Sequence, residues 1–245
     1  MGGQSISPAR ITDFEVNMSL NQILAVSETV GINDQKFVGQ NVSRNQRIST
    51  SEILTVQPFA FDMKPMDYLL YSQNRPLLNS LRIPDKALEQ YLNFGTTGWK
   101  NYIEYQGDMT GVQITACAWQ ASSANKNLVL GSLPAISPSA YIVRTGDFCQ
   151  VGRYAYIATA DVQRGSGSTV TIPVHRNLIT PLVSPVAAVI GEFGTTISLG
   201  GSTYIGVTFP VILRDYPTYT LTPFHEDSYI KWNGTFKAFE CVLNS

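Results

Sequence analysis

The two histidines are the side chains of this sequence best suited to acid–base chemistry near neutral pH. His175 stands beside Arg176 at the end of a predicted strand, and we interpret it as a surface or interface histidine. A hydrolase built on Ser, His and an acid also needs an oriented serine, but the chain has no Gly-x-Ser-x-Gly elbow. Gly165–Ser166–Gly167 is too short and wrongly flanked for such a strand-to-helix turn. The sequence therefore predicts no catalytic residues of this type.

The run His225–Glu226–Asp227 has the composition of a metal-binding trio. Successive side chains on an extended chain point in different directions, however, and no second pair of ligands lies nearby in the sequence. We therefore expect no metal site here and no cofactor.

Glycoside hydrolysis requires two carboxylates facing one cleft. With 18 acidic residues in the chain, pairs such as Glu104 with Asp108, or Asp147 with Asp161, are easy to propose. The sequence selects neither pair, and we expect these acids to be solvated or to form turns.

Several other motifs have an ordinary structural interpretation. Gly200–Gly201 and Gly165–Ser166–Gly167 lack the context of a phosphate-binding loop and are predicted to be hairpin tips. Arg44 and Arg47 lie in a polar loop and are too few to form a nucleic-acid face. Cys117, Cys149 and Cys241 are widely spaced, which predicts buried, reduced thiols in a chain assembled in cytosol.

The bulk composition indicates a surface that is partly covered by other protein. Charged residues make up 14% of the 245 residues, against about 25% in a typical globular domain. Subunit contacts are the simplest cover, because interface cores are poor in charge and rich in aromatic residues. The 12 Tyr and three Trp either fill such seams and cross-strand sites, which we favour, or line a sugar-binding surface.

The same numbers argue against several partners. A net charge of −1 gives no field that would attract nucleic acid or anionic lipid. No apolar run is long enough to span a membrane. Met1–Ser5 lacks the charged and apolar regions of a secretory signal, so none is expected there.

The clearest structural unit is the segment Arg144–Arg176. A Gly146–Asp147 turn should launch a strand, a turn at Gly152 and Arg153 should return it, and a loop should lead into a third strand. Further strands are predicted at Ile11–Met18 and Val112–Trp119, and Asn233–Gly234 predicts a hairpin between its flanking strands. Pro210 predicts an edge or bulged strand around it.

Residues 65–94 differ from the rest. Pro65 can open a helix, and Pro84–Leu92 has apolar residues at Leu88, Tyr91 and Leu92, which is helical spacing. The overall prediction is a mainly β fold of antiparallel β-sandwich or barrel units, with two short helices around residues 65–94. The boundary is predicted near Gly107, which gives an N-terminal ring-forming domain at 1–107 and an all-β domain at 108–245.

Seven segments together resemble a known family: Tyr102–Asp108, Gly146–Gln150, Tyr154–Tyr156, Asp161–Gly165, Val174–Arg176, Tyr216–Tyr219 and Tyr229–Phe236. They are similar to tail-tip and baseplate structural proteins of tailed bacteriophages, notably phages of cyanobacteria, across about residues 66–240.

The resemblance implies a protein like the distal tail proteins, which form a ring that joins the tail tube to hub, spike or fibres. Its implied partners are copies of itself and those tail components, in the virion, after assembly in the host cytoplasm. The helical stretch at 65–94 departs from the family's uninterrupted N-terminal β domain, so a hub or wedge component stays open. The alternatives are a carbohydrate-binding receptor module of the tail and a tail-associated hydrolase, while the favoured interpretation is a protein without enzymatic activity.

Overall fold

The computed structural model describes residues 20–34, 38–42, 48–52, 57–82, 89–95, 97–123 and 125–242. Strands hold 47% and helical segments 13% of them, and the sheets are antiparallel and open. The predicted mainly β, antiparallel fold is confirmed. The predicted strand at Ile11–Met18 lies outside the described residues.

The helical segments are short and are α1 (Leu20–Ala25), α2 (Tyr71–Arg82), a 3-10 turn (Lys100–Tyr102) and α3 (Gly111–Ala116). The first eleven strands are β1 (Ser27–Asp34), β2 (Val38–Val42), β3 (Ile48–Glu52), β4 (Phe59–Pro65), β5 (Leu69–Leu70), β6 (Glu89–Asn93), β7 (Ala118–Trp119), β8 (Asn127–Gly131), β9 (Tyr141–Val143), β10 (Phe148–Val151) and β11 (Tyr154–Ile157). The remaining strands are β12 (Val162–Gln163), β13 (Val170–Pro173), β14 (Val186–Ala187), β15 (Val189–Ile190), β16 (Phe193–Gly194), β17 (Ile197–Leu199), β18 (Ser202–Tyr204), β19 (Thr208–Asp215), β20 (Thr218–Phe224), β21 (Asp227–Asn233) and β22 (Phe236–Glu240).

A five-stranded sheet in the order β1-β4-β22-β19-β6 joins the two ends of the described chain. Its register places Phe61 of β4 opposite Ala238 of β22, and Leu92 of β6 opposite Phe209 of β19. All four of these side chains are buried in the first of two hydrophobic clusters. Burial of this apolar face is what stabilises the long-range pairing.

Residues 105–190 supply the second hydrophobic cluster, which is centred on side chains such as Trp119, Ile142 and Tyr156. Three smaller sheets surround it, in the orders β11-β10-β15-β16, β13-β8-β7-β14 and β12-β9. Strands from before and after this stretch pair in the five-stranded sheet. The boundary near Gly107 stays a prediction.

The segment Arg144–Arg176 forms the predicted hairpin, and the predicted third strand joins it only in part. β10 and β11 pair through the turn at Gly152 and Arg153, with Cys149 opposite Tyr156. The third strand, β13, pairs with β8 and meets the hairpin only where Val174, just after β13, bridges Ala158, just after β11. The local turn is correctly predicted, whereas the strand partner is chosen by packing.

The helix predictions are partly wrong. Pro65 ends strand β4, and the helix in this region begins later, at Tyr71. Of the predicted helix Pro84–Leu92, residues 83–88 lie outside the described part, and Glu89 onward is strand β6. Pairing with β19 buries Leu92 fully, so tertiary contact overrides the helical spacing.

The strand predicted at Val112–Trp119 is also wrong. Residues Gly111–Ala116 form α3, and only Ala118–Trp119 is strand. Thr110 accepts a hydrogen bond from the backbone N–H of Gln113, whose side chain accepts one from the N–H of Thr110. This capping box fixes the start of the helix.

The hairpin predicted at Asn233–Gly234 is not formed. The strands before and after it, β21 and β22, lie in different sheets, and β21 pairs with β20 and β5. The hairpin is β20–β21, joined by His225 and Glu226. Asn233–Gly234 is therefore a corner between two sheets.

Pro210 lies in β19, which is flanked by β22 and β6 and is not an edge strand. Its ladder with β22 starts only at Val211, and the carbonyl of Pro210 accepts a bond from Cys241, beyond the end of β22. The missing N–H of proline thus falls at the end of the ladder between β19 and β22 and not in its middle. The strand is bulged, but between Leu213 and Asp215.

Candidate assembly surface

His175, predicted to be a surface or interface histidine, is a half-buried side chain that packs between one residue of each cluster, Phe59 and Tyr156. Its Nδ1 accepts a hydrogen bond from the backbone N–H of Ile157 at 3.0 Å. Its ring centroid lies 5.2 Å from that of Phe59 and 6.5 Å from that of Tyr156. Because Nδ1 accepts a bond, the proton of the neutral ring is on Nε2. These contacts give the imidazole a structural role.

The trio His225–Glu226–Asp227 does not converge. His225 and Glu226 are the turn of the β20–β21 hairpin, and the Asp227 carboxylate faces the start of α2 instead. It accepts bonds from the hydroxyl of Ser72 at 2.5 Å and from the backbone N–H of Ser72 at 3.2 Å. The hydroxyl bond lowers the pKa of Asp227. Within the described ranges, no three His, Cys, Asp or Glu side chains form a metal-binding group.

Asp147 and Asp161 both hold one turn. The Asp147 carboxylate is buried and accepts bonds from the backbone N–H groups of Arg144 at 2.8 Å and Gln106 at 2.9 Å. Asp161 accepts bonds from the backbone N–H and hydroxyl of Thr145. Burial raises the pKa of Asp147, whereas the bonds from Thr145 lower that of Asp161.

The other pair of acids considered from the sequence is Glu104 with Asp108. The Glu104 side chain is exposed. Asp108 accepts a bond from the backbone N–H of Tyr141 and lies 3.7 Å from a guanidinium nitrogen of Arg144. The expectation of turn-forming or solvated acids is confirmed for both pairs.

The predicted thiol environment is confirmed, since Cys117, Cys149 and Cys241 are free and buried and burial raises the pKa of each. Gly200–Gly201 is the predicted hairpin tip, between β17 and β18, with φ of 56° and 79°. The loop at Gly165–Gly167 is not a hairpin tip, because it links β12 and β13, which pair with other strands. Arg44 and Arg47 lie outside the described residues.

The surface feature that stands out is the edge strand β20, which the sequence analysis did not single out. It pairs with β21 on one side, and no described strand pairs with its other side. Residues Thr218–Phe224 contain no charged side chain, and all except the half-buried Tyr219 are exposed. Edge strands of monomeric proteins usually carry charges or are covered. Pro223 is the signal by which the sequence could have indicated this edge, because proline inside a strand is found mainly on edge strands or at bulges.

Two other sheet edges of the protein are covered. The side chain of Asn21 in α1 donates to the carbonyl of Tyr91 at 3.0 Å and accepts from the N–H of Asn93 at 2.7 Å, which closes the edge of β6. The Tyr102 hydroxyl donates to the carbonyl of Val30 on β1. The exposed edge of β20 therefore contrasts with the treatment of β6 and β1.

Leu221 turns its backbone groups toward this open side. The N–H of Tyr68 donates to the carbonyl of Ile230, so the backbone groups of Ile230 face away from β20. Leu221 lies directly opposite Ile230. In an antiparallel ladder both members of such a pair point outward, so the N–H and C=O of Leu221 face the free edge. Its side chain is 43% exposed.

A cluster of rings borders the end of β20, and we call Tyr68, Phe224, His225 and Tyr229 the aromatic patch. The ring of Tyr229 lies 5.9 Å from that of Tyr68 and 4.6 Å from that of Phe224. Tyr68 is 68% and Phe224 is 44% exposed. Tyr68 and His225 have φ of 69° and 51°, a conformation that side-chain-bearing residues rarely adopt.

No protein-family model matches this chain, and no curated protein matches it either. None of the helices among the described residues has the length and apolar character needed to cross a bilayer.

Proposed function

We propose that this chain is a structural subunit of the tail tip or baseplate of a tailed bacteriophage, where its copies form an oligomeric ring. Its partners would be sister copies, the tail tube, and the hub, spike, fibre or wedge proteins. The proposal assigns the protein no catalytic step.

One observation carries the proposal: β20 presents seven consecutive uncharged residues on an open sheet edge. An edge of this kind is a template for pairing with another chain, and a protein that remained alone in solution would be at risk of aggregation. A subunit that is built into a larger assembly has this edge covered. The sparse charge of the chain as a whole supports the same interpretation.

The mainly β, antiparallel fold is compatible with the resemblance to tail proteins. The two hydrophobic clusters and the antiparallel sheets around them suit a subunit that holds its neighbours in a ring. No soluble substrate is needed for such a role, because its action is to hold neighbours in fixed positions.

The test is the location of the chain in purified phage particles. Antibodies raised against the purified protein should label the distal end of the tail, and mass spectrometry of isolated tails should detect the chain in stoichiometric amount with tail-tube protein. Absence of the chain from purified, infectious particles would contradict the proposal.

A second candidate is a carbohydrate-binding receptor module, which the aromatic patch favours. Exposed tyrosine rings such as Tyr68 offer flat apolar faces on which sugar rings can stack. Binding of the wild-type chain to a glycan array, lost in Tyr68→Ala and retained in Val183→Ala at another exposed site, would support this candidate over the first. No binding to host-surface glycans would remove it.

A further inference from the structure

We infer that β20 pairs antiparallel with β20 of a second copy of this chain, around a two-fold axis at Leu221. This contact would make one continuous sheet of six strands from the two copies, in the order β5-β21-β20 followed by the partner's β20-β21-β5. The inference starts from the same open edge as the proposed function and assigns that edge to a second copy, so a tail ring would also need contacts elsewhere on the chain.

The direction of the backbone groups sets the register. Because the N–H and C=O of Leu221 point out of the sheet edge, two copies of Leu221 placed opposite each other can exchange both hydrogen bonds. The two-fold axis then passes between them. Pairing in this register needs no change in the ladder between β20 and β21.

The side chains around Leu221 are self-complementary in that register. Thr220 of one copy lies opposite Thr222 of the other, and the reverse pair is equivalent. Threonines in such positions pack well and can hydrogen-bond across strands. The segment Thr218–Phe224 has no charge, so no like charges meet anywhere along the pair.

The position of Pro223 limits the contact to the middle of the strand. Pro223 is exposed and, two residues from Leu221, has no N–H to offer to the open edge. A long, sequence-independent stack of strands is therefore disfavoured, whereas a single pair centred on Leu221 is allowed. This favours a closed dimer over a fibre, because a two-fold contact uses the same edge on both copies.

The experiment introduces a positive or a negative charge at Leu221, which lies on the proposed two-fold axis. We would compare sedimentation velocity of the full-length wild type, Leu221→Lys, Leu221→Glu and an equimolar mixture of the two variants. The wild type should self-associate, and each variant alone should dissociate at least about tenfold more readily, because like charges then lie directly opposite. The mixture should recover association, since Lys and Glu then face each other.

The matched control is Val183→Lys, which adds the same charge at a site that is 89% exposed and lies outside β20. It should associate as the wild type does. Circular dichroism of each variant checks folding. If a Leu221 variant does not fold, mixed Thr220→Cys and Thr222→Cys proteins provide the second test, because oxidation should join these two variants to each other; the native thiols are buried.

A wild-type chain that stays monomeric up to about 100 μM would overturn the inference. So would dissociation of both charge variants without recovery in the mixture, since Leu221 would then face another surface. Uptake of a peptide or a glycan along β20 by a monomeric chain would also overturn it. If the dimer experiment fails, antibody labelling and mass spectrometry of virions still decide whether the chain is a tail protein. If the chain is absent from virions, the result of the dimer experiment still stands.

Discussion

Arg176 and Glu240 form a fully buried ion pair that joins two sheets of the protein. The Nη1 and Nη2 atoms of Arg176 each lie 2.6 Å from a carboxylate oxygen of Glu240, and neither side chain is exposed. Arg176 also donates to the carbonyls of Ala155 in β11 and Gln57 before β4. The Glu240 carboxylate accepts the N–H of Phe59 at 3.0 Å. One charge pair thus bonds to the five-stranded sheet and to the sheet that contains β11.

Replacing Arg176 by leucine should destabilise the protein by about 3–5 kcal/mol, because the Glu240 carboxylate would stay buried without its cation. Urea unfolding followed by tryptophan fluorescence measures the free energy of unfolding. The control is Arg153→Leu, which removes an ion pair with Glu89 whose side chains are 28% and 22% exposed. Its loss should be clearly smaller. Equal losses of unfolding free energy in Arg176→Leu and Arg153→Leu would show that burial of an ion pair does not determine how much its removal destabilises this protein.

Tyr156 makes stability depend on pH in alkaline solution. Burial raises the pKa of its hydroxyl from 10.0 to about 12, although the bond from the N–H of Ile179 and the nearby Arg176 act in the opposite direction. The unfolded chain therefore releases this proton at lower pH than the folded chain. The protonated hydroxyl therefore contributes roughly 2–3 kcal/mol to the free energy of unfolding below pH 10. This contribution is lost as the pH rises through the pKa of Tyr156 in the folded protein.

The measurement is the free energy of unfolding between pH 8 and pH 12 for wild type and Tyr156→Phe. The variant should be less stable at pH 8 by about 1–3 kcal/mol, because the N–H of Ile179 loses its acceptor. The difference between the two proteins should shrink above pH 10. Parallel curves would show that Tyr156 ionises normally in the folded protein.

Gly191 is required for both its conformation and its contacts. Its φ is 58°, and an added Cβ would lie 2.6 Å from the carbonyl oxygen of Ile103. Gly152 has the same φ but open space around the added atom. Gly152→Ala should therefore cost only the backbone strain, about 1–2 kcal/mol, and Gly191→Ala considerably more. Thermal unfolding of both variants measures this, and equal shifts in Tm would contradict the contact argument.

The sequence predicts local turns better than strand partners. The β10–β11 hairpin follows from the turn at Gly152 and Arg153, because the two strands are adjacent in the chain. Asn233–Gly234 gives an equally strong local signal, yet its flanking strands separate. Phe236 pairs with Met63 of β4, far away in the sequence, and buries its ring there. A short stretch of sequence shows the residues that favour a local turn, but it does not show the distant strands against which the flanking residues can be buried.

The open edge of β20 was hidden for a similar reason. Alternating threonine and apolar residues are typical of a strand whether one or both of its sides are paired. Only the sheet order shows that the side carrying the Leu221 backbone groups has no strand beside it in the described chain. By contrast, the turn-forming role of Asp147 and Asp161 follows from their residue type and place beside turns.

Asp147 should be more important for stability than its partner in the same turn, Asp161. Asp147→Asn keeps the shape of the side chain but turns one acceptor oxygen into a donor amide. One of the two backbone N–H groups, of Arg144 or Gln106, then faces that amide and loses its acceptor. Because the site is buried, the loss should be about 1–3 kcal/mol, while Asp161→Asn, at an exposed position, should cost less.

Hydrogen exchange separates this local effect from general destabilisation. In Asp147→Asn the amides of Arg144 and Gln106 should exchange faster than in wild type, while the amide of Thr145, which is bonded to Asp161, should change less. Asp161→Asn should leave the exchange of all three amides close to that of the wild type, because both bonds from Thr145 end on one oxygen of Asp161 and the amide oxygen of asparagine can accept them. Burial raises the pKa of Asp147, so ionisation of this carboxyl destabilises the folded wild type as the pH rises through that pKa. The asparagine of Asp147→Asn cannot ionise, and its deficit in unfolding free energy should therefore be smaller at neutral pH than at acid pH. If the difference in unfolding free energy between wild type and Asp147→Asn stayed the same from acid to neutral pH, burial of the ionised carboxylate would cost little.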